Sequence, residues 1–183
     1  MRLDPHTLAA AFILLSVMLG ALLLFAWTHN RKVHALAWWG ATFCLIPVGI
    51  GMANLDQAVP GHLNLLVANA LVTFGYGSLY AGCVTFNARR GKWPAVVVGP
   101  AIWVVAFPFI YETYSVRLLL LSLITGAYAA LSAWELAKHA PRWLTSQRAA
   151  VLLLSILATF NVFRGLLGLP LGSIFWLNAL ASR

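Results

Sequence analysis

The stretch that most restricts the fold is residues 63–90, which carry no charge until Arg89 and Arg90. As a helix this stretch is long enough to cross a hydrocarbon core of about 30 Å, where only helices and closed barrels satisfy every backbone polar group. Within it Ala68, Gly75, Ser78 and Gly82 recur at spacings of seven, three and four, which sets small side chains on one face and lets a neighbouring backbone come close. Asn69, an amide inside hydrocarbon, needs a partner from another helix, and a packing contact is preferred for it over ligand binding. The span is expected at the centre of a bundle, with Ala68, Asn69, Gly75, Ser78 and Gly82 as its helix-packing residues.

Other apolar runs extend this to an all-α, polytopic transmembrane bundle with spans over residues 7–27, 35–55, 63–86, 94–110, 116–136 and 149–169. Pro47 is expected to kink the second span, Pro100 and Pro108 to make the fourth the least regular, and Pro170 to break the sixth. Residues 172–183 are too few for the roughly 20 that a span needs, and are read as the start of a truncated seventh. With 62% hydrophobic and 9% charged residues, a soluble domain of 183 residues could not bury its apolar surface. The first span lacks a small-residue cleavage pattern and is read as retained.

The net charge of +8 would suggest nucleic acid in a soluble chain, but the basic residues cluster between the spans. Arg31-Lys32, Arg89-Arg90-Lys92 and Lys138-Arg142-Arg148 follow the first, third and fifth spans, and the alternate loops hold no Lys or Arg except Arg117. Because Lys and Arg are retained on the cytoplasmic side, the N-terminus is placed outside. A completed seventh span would return the C-terminus to the cytoplasm. Nucleic acid is not expected as a partner; the lipid bilayer is. Cys44 and Cys83 lie inside spans and away from any Cys-x-x-Cys spacing, so they are read as small packing residues.

No Gly-rich phosphate loop, nucleophile elbow, His-Glu-x-x-His or pair of embedded acids is present, so no catalytic residue and no metal site is assigned. Polar residues gather at the outer pole instead: Asp4, His6, Asp56, His62, Glu112, Arg117 and Arg164, with Tyr111 and Tyr114. Arg164 lies about one and a half turns inside the outer end of its span, and Asn161 one turn below it on the same face. Arg164, Asn161, His62, Glu112 and Arg117 form the candidate ligand-binding set. One reading has Arg164 receive an anion or carboxylate of an unidentified small ligand; the other has it snorkel outward or pair with Glu112. His6 and His62 are read as interfacial histidines, since their spacing specifies no metal. Glu135 and Lys138, three apart, are read as a local ion pair.

The pattern as a whole resembles the multi-helix N-terminal membrane regions that precede GGDEF domains in proteobacterial diguanylate cyclases. The residues that carry the resemblance begin with Asp4-Pro5-x-Thr7-Leu8, Trp27 with Arg31-Lys32, and Leu36-Ala37-Trp38-Trp39. They continue with Pro60, Ala68-Asn69-Ala70-Leu71, Gly75-Tyr76, Gly82 and the exit from Phe86 to Arg90, then Trp134-Glu135-Leu136 and Phe163-Arg164-Gly165-Leu166. The resemblance covers nearly all of the chain, and each motif is loose. It implies a sensory or anchoring bundle in a bacterial inner membrane, acting as a homodimer and regulating cyclic di-GMP synthesis by a cytoplasmic GGDEF domain. GTP and Mg are expected only for that domain, which has no counterpart in these residues; the segment itself calls for no cofactor. A free-standing small transporter or ligand-binding membrane protein is the alternative, and a purely structural anchor the third reading.

Overall fold

In the computed structural model the backbone is described for residues 5–53, 61–87, 93–138 and 145–181, and side chains for 7–53, 62–87, 93–138 and 145–168. Asp4, Asp56, Pro60, Arg89, Arg90, Lys92, His139 and Arg142 lie outside the described residues, as do the side chains of His6 and of residues 169–183. The described residues form helices α1 (Pro5–His29), α2 (His34–Ala53), α3 (Gly61–Phe86), α4 (Trp93–Ile110), α5 (Tyr114–Lys138) and α6 (Thr145–Ala181), with no strand among them. All six are long and apolar enough to cross a membrane. Large apolar side chains face outward on every helix, among them Leu15, Phe25, Val105, Phe109, Leu153 and Phe163. In water these would be an aggregation surface; in a bilayer they are solvated by acyl chains.

One expectation about proline, the break at Pro170, is corrected. α2 runs unbroken through buried Pro47, and α4 is a single helix through Pro94, Pro100 and Pro108. α6 continues through Pro170 to Ala181, so the expected seventh span is not a separate element here. A proline removes one N–H from the ladder and crowds one carbonyl, which kinks a helix without having to end it, and in lipid the alternative of an exposed irregular backbone is costlier still.

The chain divides into two units, residues 1–101 and 102–183. In the first, α1 packs on α2 and α2 on α3. Glycines set the approach. A Cβ on Gly20 would lie 2.6 Å from Cys44 Sγ and 3.0 Å from the Gly40 carbonyl oxygen. Between α2 and α3, a Cβ on Gly49 would lie 2.6 Å from the Ala68 carbonyl oxygen, and one on Gly75 would lie 2.6 Å from Ile46 Cγ1. Gly82 makes room for the Trp39 indole, which also stacks on Phe86 at 5.5 Å. Polar atoms tie the same pair. Thr42 Oγ1 donates to the Gly75 carbonyl oxygen at 3.1 Å, and Asn64 Nδ2 to that of Met52 at 2.7 Å. On another side of α3, Gly77 lets the α4 backbone at Val96 come within 2.6 Å of where its Cβ would stand, and Trp38 meets Trp93 edge-on at 4.8 Å.

In the second unit α5 and α6 pack along their length. Leu118 meets Gly168, Ser122 meets Gly165, Thr125 meets Asn161 and Leu136 meets Gln147. Residue numbers rise on α5 as they fall on α6, so the pair is antiparallel, as a short connection requires. This register fixes the polar groups described next.

Candidate functional site

α5 brings Leu118, Ser122, Thr125 and Gly126 to the seam by spacings of three and four, and α6 brings Ala158, Asn161, Gly165 and Gly168 the same way. Gly165 and Gly168 are needed for the approach, since Cβ atoms there would meet Ser122 Cβ at 2.9 Å and Leu118 Cδ2 at 2.6 Å. The closeness leaves no room for water, and Ser122, Thr125 and Asn161 are all buried. Each polar atom must therefore be satisfied within the seam.

Asn161 Nδ2 donates to the Leu157 carbonyl oxygen at 2.8 Å, which orients the amide so that Oδ1 accepts from Thr125 Oγ1 at 3.0 Å. The Thr125 hydroxyl also lies 2.9 Å from the Leu121 carbonyl oxygen, so its one proton is shared between its own helix and the neighbour. One turn away, Arg164 Nε donates to Ser122 Oγ at 3.2 Å. Among the described residues, this is the one partner that the guanidinium has; its two terminal nitrogens take none. A half-buried cation in an apolar span with its forked end uncommitted has the chemistry to receive an oxyanion.

The other sequence candidates fall elsewhere. Glu112 is exposed in the turn before α5 and makes no ion pair among the described residues, so the expected Arg164–Glu112 alternative gives way to the bond to Ser122. Arg117 stands in the first turns of α5, half-buried, with its guanidinium carbon 5.9 Å from the centroid of the Tyr114 ring. His62 is exposed near the start of α3, in the other unit. Of the packing set, Ala68 and Ser78 are fully buried, and Gly75 and Gly82 meet α2 side chains. Ser78 Oγ returns to the Phe74 carbonyl oxygen at 3.0 Å, while Asn69 is half-buried.

Sequence reasoning missed Ser122, Thr125, Thr42 and Asn64. The signal for the first two was a Ser-x-x-Thr-Gly run inside a leucine- and alanine-rich span, at the i, i+3 spacing that meets a partner helix. Of the expected Glu135–Lys138 pair, Glu135 is buried and Lys138 is exposed. A hydroxyl and carbonyl-rich seam reaches the other end of the pair through Gln147 Nε2, which donates to the Leu136 carbonyl oxygen at 3.1 Å. No group of three or more His, Cys, Asp or Glu stands ready for a metal among the described residues. No known family model matches the chain, and neither a curated protein nor a solved structure is significantly similar to it.

Proposed function

We propose that this chain is the membrane sensory region of a bacterial signalling protein, set in the inner membrane with its N-terminus outside and regulating a cytoplasmic diguanylate cyclase domain. The observation that carries the sensory part is the α5–α6 seam: a helix pair joined by the Thr125–Asn161 and Ser122–Arg164 bonds, with a cationic fork left over. Such a pair has a register that a ligand can bias, provided that the ligand binds two arrangements with different affinity. The basic clusters after the first, third and fifth spans support the orientation. The cyclase output rests on the resemblance of Asp4-Pro5, Trp38-Trp39, Ala68-Asn69-Ala70-Leu71 and Phe163-Arg164-Gly165 to the membrane regions that precede GGDEF domains. In this reading two copies pair, and GTP and Mg serve the output domain only.

An output domain in the cytoplasm needs an odd number of crossings. The proposal assigns the seventh to the chain from Gly172 onward, which requires α6, continuous to Ala181 here, to open at Pro170 and the chain to turn back, at the point where the ring already removes one helix hydrogen bond. A straight α6 of 37 residues would be about 55 Å long, far beyond the core thickness. The free-standing carrier is the weaker reading, because α2 and α4 stay continuous through their prolines and offer no broken helix at the midplane. The test is the natural reading frame past the codon for Arg183. A frame that completes an apolar helix and enters a GGDEF domain, and whose product raises cellular cyclic di-GMP, supports the proposal. A stop codon there, or an unrelated domain, removes it.

A further inference from the structure

Arg164 stands on a border. With 3.6 residues per turn, Asn161, Gly165 and Gly168 lie on one flank of it, the side that meets α5, while Phe160, Phe163 and Leu167 lie on the other. Those three are exposed and apolar, so in a bilayer they face acyl chains. Ser122 holds the guanidinium from the protein side through Nε, at 3.2 Å, and Ser122 is itself fully buried and fixed by the Gly165 contact. The edge of the fork that carries the two terminal nitrogens is thereby left for a partner.

The depth of the residue identifies the partner's chemistry. Arg148 begins the apolar part of α6, and Arg164 follows sixteen residues later, a rise of about 24 Å along the axis. That is some 6 Å short of the far boundary of a core about 30 Å thick, a depth from which an arginine reaches the headgroup level by snorkelling. At that level the abundant oxyanion is phosphate, and a guanidinium with both terminal nitrogens free binds phosphate or carboxylate in a bidentate fork. Arg117, at the same end of the helix pair, adds a second positive charge.

We infer that Arg164, positioned by Ser122, is a recognition site for a phosphate-class oxyanion at the leaflet opposite Arg148, supplied either by a lipid headgroup or by a free anion. The inference deepens the sensory reading by naming its ligand class and borrows from it only the idea that occupancy matters.

The experiment uses the 183-residue chain purified in a neutral maltoside detergent. One arm titrates phosphatidylglycerol and counts retained lipid by native mass spectrometry; the other titrates inorganic phosphate and follows the melting temperature. Wild type is expected to bind in one arm, with R164Q weaker by about tenfold or more, the worth of a charged hydrogen bond. R164K is expected to keep part of the affinity as a point charge, and S122A, which keeps the cation but loses its anchor, to fall between wild type and R164Q. Should R164Q fail to fold by circular dichroism, R164K and S122A carry the comparison. Arginine-dependent retention of lipid identifies a headgroup site, and arginine-dependent stabilisation by phosphate a free-anion site. Binding that is the same in R164Q as in wild type, or absent in both arms, overturns the inference. No output domain enters this measurement, so its failure leaves the cyclase proposal standing, and a reading frame without a GGDEF domain leaves the binding result standing.

Discussion

Two glycines on α2, two residues apart, separate close helix approach from helix propensity. A Cβ on Gly49 would stand 2.6 Å from the Ala68 carbonyl oxygen, 2.9 Å from Val72 Cγ2 and 3.2 Å from Val72 N. Two of those atoms belong to the α3 backbone and cannot rotate away, so Gly49→Ala must push the helices apart. At Gly51 the nearest atom to an added Cβ is Ile13 Cδ1 at 3.6 Å, an ordinary contact. Both substitutions gain the helix preference of Ala over Gly, up to about 1 kcal/mol each. That gain largely cancels in the comparison, leaving the overpacking penalty of about 1–3 kcal/mol on Gly49→Ala alone. Reversible unfolding in mixed micelles, followed by circular dichroism against denaturing detergent fraction, should place G49A below G51A by that amount. Equal stability of the two, or a more stable G49A, would refute the close α2–α3 approach.

Thr125→Val and Asn161→Leu should each destabilise the α5–α6 pair, and the double variant should lose less than the sum. The coupling expected is about 0.6 kcal/mol and at most about 1.7, as for hydrogen bonds between helices in lipid; strict additivity would mean that the 3.0 Å bond is not formed. Orientation is checked in a C44A/C83A background, where Thr113→Cys in the turn before α5 should react with an impermeant maleimide on intact cells and Asn30→Cys should not. The reverse labelling would invert the topology.

Much of the architecture was legible in the sequence, because in lipid an apolar run of the right length has one way to satisfy its backbone. The ends of the first five expected spans fall within two residues of those of α1 to α5, whereas α6 runs to Ala181, well past the expected residue 169. Pro170 is the proline whose local signal misleads: it reads as a break, yet a membrane penalises an open backbone more than a lost hydrogen bond, and α6 runs on through it. Gly75 and Gly82 were placed on a packing face from spacing alone, but Gly49 and Gly77 were not, since which face of a uniformly apolar helix meets a neighbour is a tertiary fact. Asn69 drew attention as the embedded amide of α3, while Asn64, a turn earlier, is the one that reaches across to Met52. Arg164 and Asn161 stood out as polar residues in an apolar run. Their partners Ser122 and Thr125 did not, because a hydroxyl on a helix can return to its own carbonyls and so does not announce a cross-helix bond.

The central claim is that this bundle informs an output and does more than anchor it. The most direct measurement is cellular cyclic di-GMP from the natural full-length reading frame, with Arg164 intact and as R164Q, at equal abundance in the membrane. The account predicts a rise over empty vector for the native bundle and a shift of about fivefold or more in R164Q, the size of an ordinary coupling between sites. Equal cyclic di-GMP from the two proteins, or no rise from either, would contradict it.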